Sequence, residues 1–324
     1  MGAKSHDLHI DALRSEMAMG YRPDGSIAGD IMPIVNVDKQ SDLYVVFSRA
    51  ARLRRVPTAR SPGKQANLID EPVGSASYRC LNYALKAAVT LEDRSNADPV
   101  FLDQIIDGRT RLVLDLLNID WELRVANLVN SGSNVGSFSS VASAWTDGVN
   151  ATPVGDINTV IDNAYDRTGK RPTDLVFGLT AWRLFRRSTE ARNLIFGTNN
   201  GGGFVSRQAT ADLFEVDRIH VGEAFRNTGQ ELPDAGGVNA GETIAKIWDN
   251  NVLVSYRPTA PSREEPSFAY SFRWVRPGLP NMTVERHPFD SRTKSEEVEV
   301  GYYQDERITG SEYAFLLEDV NSST

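Results

Sequence analysis

Between Ala97 and Ser131 apolar residues recur at spacings of three, four and seven, and this pattern organises the chain. Phe101, Ile105, Leu112, Leu116, Ile119, Leu123 and Ala126 draw one stripe, with Leu102, Ile106, Val113, Leu117, Trp121 and Leu128 beside it. The spacing predicts a helix roughly 50 Å long at about 1.5 Å per residue, enough to cross a globule of this size. Asn96 and Asp98 supply capping oxygens, Pro99 suits a first turn, and Gly132 follows the last periodic residue. Gly108 costs about 1 kcal/mol relative to Ala inside a helix and allows a bend there.

Upstream the period changes. Leu81, Tyr83, Leu85, Ala87, Val89 and Leu91 alternate with Asn82, Ala84, Lys86, Ala88 and Thr90, which is the period of a strand. Leu43–Phe47 reads as its partner. Residues 54–77 between them hold Pro57, Pro62, Gly63, Pro72 and Gly74 and few large apolar groups. Residues 41–91 are therefore expected to form a long hairpin with an irregular tip. A lone hairpin is marginal in water, so it is either mobile or lies on another surface. Residues 1–25 read as a loose arm in which Asp11–Met19 makes two helical turns, ended by Gly20, Pro23 and Gly25. Ile31–Val35 is an apolar anchor that Pro33 keeps out of a helix.

After a linker rich in Ser, Gly and Asn that runs to Ala151, short helical and strand patterns alternate. Ile157, Val160, Ile161, Ala164 and Tyr165 mark a helix capped by Asp156, and Thr180 caps another that carries Trp182, Leu184 and Phe185. Leu175–Gly178, Ile219–Val221, Ile244–Trp248 and Val252–Tyr256 read as strands. Residues 152–260 are expected to be a compact α+β domain with a mobile loop at Gly197–Gly203. Phe268, Tyr270, Phe272 and Trp274 share one strand face, expected to pack on a helix. Val298, Val300 and Tyr302 alternate with Glu297, Glu299 and Gly301, and Tyr313–Leu317 is a last strand. These late strands are expected to pack on the long helix, which makes the second domain discontinuous.

Composition narrows the classes. The 324 residues are 40% apolar and 24% charged, ordinary for a globular chain, and the net charge of -8 argues against a protein that coats nucleic acid over its whole surface. A single cysteine, Cys80, allows no intrachain disulfide. No apolar run has the length of a signal peptide core or a membrane span, so no membrane partner is expected.

Charge is unevenly distributed. Arg49, Arg52, Arg54, Arg55, Arg60 and Lys64 cluster at the hairpin tip without an acid among them. Glu296, Glu297, Glu299, Asp305 and Glu306 run along a late strand without a base between Ser295 and Glu306. A basic flap on one copy meeting Glu296, Glu297 and Glu299 of another would need no outside partner.

The chain carries no motif of catalysis. Gly63-Lys64 and Gly169-Lys170 lack the upstream glycine of a phosphate loop, and the 197–203 stretch is not a dinucleotide fingerprint. His6 and His9 sit three apart in the arm, too few ligands for a metal site, and His220 and His287 read as structural. Cys80 reads as a small buried apolar group. No catalytic residue, metal or cofactor is predicted.

The order of arm, IMPIV anchor, hairpin, NADP at Asn96–Pro99 and long helix resembles the major capsid proteins of tailed bacteriophages. So do GKRPTDLVFGLTAWRLFRR at Gly169–Arg187, LFEVDRIHVGEA at Leu213–Ala224, FAYSFRW at Phe268–Trp274 and SEYAFLLEDV at Ser311–Val320. The resemblance implies an α+β capsid fold with an N-terminal arm (1–40), an extended loop (41–91), a peripheral domain with the spine helix (92–135 and 261–324) and an axial domain (152–260). It implies a structural, late-expressed virion protein rather than an enzyme, assembled in the host cytoplasm. The expected partners are copies of itself in pentamers and hexamers of an icosahedral head, scaffolding, portal and decoration proteins, and the packaged double-stranded DNA. Lys64 falls in the region where some relatives form an isopeptide cross-link, but no partner asparagine or assisting acid can be matched. The alternatives are an encapsulin-like compartment shell and a nucleic-acid-binding protein that uses the basic loop.

Overall fold

The computed structural model describes residues 10–47, 53, 55–69, 73–96, 102–148, 150–197, 203–229, 242–260 and 265–322. The arm carries helices α1 (Ala12–Gly20) and α2 (Ala28–Ile31) and strand β1 (Ile34–Val37). Strands β2 (Ser41–Phe47), β3 (Val73–Arg79) and β4 (Leu81–Thr90) follow, then α3 (Leu91–Asn96) and the spine helix α4 (Leu102–Val129). Next come β5 (Phe138–Ser140), α5 (Pro153–Thr168), β6 (Asp174–Gly178), α6 (Leu179–Phe185), α7 (Thr189–Phe196) and α8 (Arg207–Phe214). The chain ends with β7 (Arg218–Gly222), β8 (Phe225–Asn227), β9 (Ile244–Lys246), β10 (Val252–Ser255), β11 (Ala269–Trp274), β12 (Thr283–Asp290), β13 (Ser295–Ile308) and β14 (Ala314–Glu318).

Two five-stranded sheets carry the fold. In the first, β4, β11 and β12 all pair antiparallel with β13, and β1 adds parallel to β11. In the second the order is β5-β14-β10-β6-β7. Its inner strands are apolar without a break, as expected of strands covered on both faces. Leu175, Phe177, Val252, Val254, Phe315 and Leu317 face α5–α8 and their aromatic cluster of Trp182, Phe185 and Phe214. Val176, Leu253 and Leu316 face the other way, onto Val125, Ala126 and Val129 at the end of the spine and onto Ile27, Ile31 and Met32 of the arm.

The spine bridges the two sheets. Its first half lays Ile106, Val113, Leu114 and Leu117 on Val284, Val298, Val300 and Tyr302 of the first sheet. Its last two turns lie under the second sheet. At 28 residues it is about 40 Å long.

Several expectations change. A helix, α3, covers Leu91–Asn96 where the strand pattern ended, and Asp98, Pro99 and Phe101 lie outside the described residues. Its buried face is not the expected stripe, because Leu112 and Leu116 are 47% and 48% exposed. Apolar residues occupy more than half the helix circumference, and periodicity alone cannot tell which arc the sheet covers. The hairpin is β2 with β3, not β2 with the strand at 81–90. That strand, β4, is instead the partner of β13 over its whole length, because its Tyr83, Ala87 and Val89 reach the spine core. The strand at 314–318 belongs to the second sheet, paired with β10 and β5, so it does not pair with the other late strands, although Ala314 and Leu316 share a core with Ala269 and Ile308. Tyr270 and Phe272 pack on Tyr44 and Tyr78 of the hairpin rather than on a helix. The 153–168 helix starts at Pro153, and Asp156 accepts from Trp145 Nε1 at 2.9 Å instead of capping.

Candidate assembly surfaces

The hairpin β2–β3 leads into a loop whose described tip, residues 57–69, is exposed throughout. Ser61–Lys64 forms a tight turn among its described residues. Lys64 N donates to Ser61 O at 3.1 Å, Pro62 sets the second position, and Gly63 takes φ +77°, which a side chain would strain. Asn67 Nδ2 donates to Pro57 O at 2.9 Å and ties the two limbs together. Leu68 is 96% exposed and Ile69 71%. Arg55, Arg60 and Lys64 are exposed, and among the described residues none of them meets an acid of its own chain. Arg49, Arg52 and Arg54 lie outside the described residues, as do His6, His9 and residues 198–202 of the glycine-rich loop.

The acidic strand is placed differently from its linear reading. Even positions of β13 face the spine; on the opposite face Glu297 and Glu299 look outward, while Tyr303 packs against the hairpin's aromatic core. Glu296 therefore lies on the helix side, bound to Arg286 at 2.6 Å and Arg94 at 3.0 Å. Glu297 and Glu299 lie on the outer face. Glu297 meets Lys86 Nζ at 2.6 Å, and Glu299 meets His287 Nε2 at 3.0 Å. Glu285 stands directly across from Glu299, so three carboxylates share this face with one lysine and one histidine. Asp305 and Glu306 are held by Arg307 at 2.8 Å and Arg124 at 3.0 Å. Among the described residues, the loop bases Arg55, Arg60 and Lys64 do not meet the strand acids of their own subunit.

The structure also assembles two polar centres that periodicity did not flag. Glu122, 1% exposed on the spine, accepts from Ile27 N at 2.6 Å, Ala28 N at 2.7 Å and Ser26 Oγ with one oxygen. Its other oxygen accepts from Trp248 Nε1 at 2.7 Å. One carboxylate thereby joins the arm, the spine and the loop that leads into β10 of the second sheet. Gly222 makes room for that indole, since a Cβ there would lie 2.3 Å from the Trp248 ring.

Asp174, the first residue of β6, receives Arg218 at 2.9 Å, His220 Nε2 at 3.0 Å, Arg257 at 3.2 Å and Thr173 Oγ1 at 2.6 Å. Burial pushes its carboxyl up, but the bond from His220, the Arg257 charge and the bonds from Thr173 and Arg218 outweigh it and hold it below the ordinary range. Arg257 also donates to Asp30 O, which ties the arm to this cluster. Both carboxylates are bonded through both oxygens and hold segments together, although Arg257 Nε, in the second centre, is a buried donor without a partner among the described residues. Among the described residues no group of three or more His, Cys, Asp or Glu could hold a metal ion, and no helix is long and apolar enough to cross a membrane. Cys80 is fully buried and burial pushes its thiol up to about 11.

No family model matches the chain. The chain is 24% identical over 283 residues to the major capsid protein of Burkholderia phage BcepMu, covering 84% of this chain and 86% of the relative. The crystal structure of a phage-related protein from Bordetella bronchiseptica superposes with a TM-score of 0.75 at 21% identity, covering 98% of this chain and 99% of the other. The capsid of cyanophage P-SCSP1u superposes with a TM-score of 0.53 at 13% identity, covering 90% and 87%. The fold is that of phage capsid shell proteins.

Proposed function

We propose that this chain is the shell-forming subunit, the major capsid protein, of the head of a tailed bacteriophage. It is a structural virion protein without turnover, and it works by self-association into a closed shell. The observation that carries the reading is the relationship to a protein named major capsid protein along 84% of the chain, on a capsid fold.

The parts divide the labour as follows. Residues 1–40 form the arm, and the hairpin β2–β3 with its tip forms the extended loop. The first sheet with the spine is the peripheral domain, and the second sheet with α5–α8 is the axial domain. The loop tip has no core of its own, so its order comes from docking on a neighbour. Its bases, Arg49, Arg52, Arg54, Arg55, Arg60 and Lys64, meet a neighbouring copy's acidic sheet face, where Glu297 and Glu299 point outward; Glu296, on the helix side, is already paired with Arg286 and Arg94. Such a contact joins two different patches, so it is heterologous, and it makes rings when the rotation between copies closes. Pentamers and hexamers, double-stranded DNA inside, and scaffolding, portal and decoration proteins complete the proposal.

Co-expression of the subunit with its phage's packaging proteins, followed by nuclease treatment, tests the cargo. Particles that protect double-stranded DNA support a phage head. Particles that enclose a protein and no DNA would instead make the chain a compartment shell. Steeply salt-dependent DNA binding by an unassembled subunit would assign the basic loop to nucleic acid.

A further inference from the structure

Beneath the docked arm lies a cavity of about 320 Å³, between the turn after α1, the spine and the first sheet. Leu114, Leu117, Met282 and the Trp121 indole form its apolar walls, Arg273 is its buried charged wall, and the ion-paired Arg22 and Asp30 also line it. This volume falls in the range of small-ligand sites.

Arg273 is 7% exposed. Its Nε and Nη2 donate to Gln304 Oε1, the former at 2.9 Å, and its guanidinium lies 4.8 Å from the centre of the Tyr302 ring. Gln304 is neutral. It passes a hydrogen bond to Glu306 at 2.8 Å, but Glu306 is already paired with Arg124 at 3.0 Å. Among the described residues no carboxylate bonds to Arg273 directly, and burial pushes its guanidinium down from the ordinary value. A buried cation in this position gains from an anionic partner. Gln304 occupies the Nε/Nη2 edge, so the Nη1/Nη2 edge is left, and two parallel N–H groups there match the two oxygens of a carboxylate. Asp30 also lines the cavity, but its carboxylate is bound to Arg22.

We propose that this cavity binds a small aliphatic monocarboxylate, its carboxylate on the Nη1/Nη2 edge of Arg273 and its hydrocarbon tail along Leu117, Trp121 and Met282. The arm forms one wall, so only the arm-docked subunit holds the ligand. Occupancy therefore stabilises arm docking by mass action.

Calorimetric titration of the purified subunit with sodium hexanoate tests this, with hexan-1-ol and hexylamine as controls. Saturable one-to-one binding of hexanoate is expected, with the alcohol and the amine at least tenfold weaker. Arg273→Met is expected to weaken hexanoate at least tenfold. Ile34→Trp narrows the cavity at a half-exposed wall and leaves Arg273 intact; it is expected to abolish binding and to stand as the test if Arg273→Met does not fold. Absence of saturable binding, equal binding of hexan-1-ol, or undiminished binding in either folded variant overturns the proposal.

Discussion

Removing the Glu122 carboxylate should loosen two parts of the molecule at once. Glu122→Ala leaves the backbone N–H groups of Ile27 and Ala28 and the Trp248 indole N–H without the acceptor they share. Each orphaned buried donor costs about 1–3 kcal/mol, and water entering the vacated space recovers part of that, so the expected loss is about 4 kcal/mol. Glu122→Gln keeps one oxygen for the arm but turns an N–H toward the indole N–H, for a loss of about 2 kcal/mol. Urea unfolding of the unassembled subunit should rank parent above Gln above Ala. Hydrogen exchange should rise together at residues 26–32 and around Trp248. The reasoning is refuted if both variants lie within about 0.5 kcal/mol of the parent, or if the arm exchanges faster while the region around Trp248 does not change.

Asp174→Asn should destabilise the subunit by about 3 kcal/mol, since it strips a buried anion from Arg218, Arg257 and His220; a midpoint unchanged in urea would contradict this. Because the Asp174 carboxyl is held below its ordinary range, its contribution is fully present above about pH 4 and fades as pH falls through the lowered folded value. Acid unfolding of Asp174→Asn should accordingly be less steep than that of the parent. Replacing Arg55, Arg60 and Lys64 with Glu should block particle formation and leave the subunit's unfolding midpoint unchanged, as read by sedimentation and by melting. Leu316→Ala, at a site with no exposed surface between spine and sheet, should cost about 2–5 kcal/mol in chemical unfolding. Cys80 should resist alkylation in the native subunit at neutral pH and react once urea is added.

Much of the fold was legible because it is written in local periods. The spine, the β4 alternation, β6, β7, β10 and the aromatic strand β11 stand within a few residues of where their patterns place them. Strand partners are not local, and there the reading failed. Nothing in the alternation of β4 says that it pairs with β13 rather than with β2, and the apolar run 314–317 fits either sheet. The phase of the spine was hidden because Leu112 and Leu116 are as apolar as Val113 and Leu117. The charge clusters were legible as clusters, but intrachain partners such as Lys86 for Glu297 and His287 for Glu299 depend on register. Glu122 left one weak trace, an acid in phase with Ala126 and Val129, spaced four and seven residues on.

Electron cryomicroscopy of the purified, concentrated protein tests the central idea most directly, that identical copies complete what a single subunit leaves open. Closed icosahedral particles, with each loop tip resting on a neighbour's sheet, are the predicted image. A field of dispersed subunits under every assembly condition, with the loop ordered on its own chain, would contradict it.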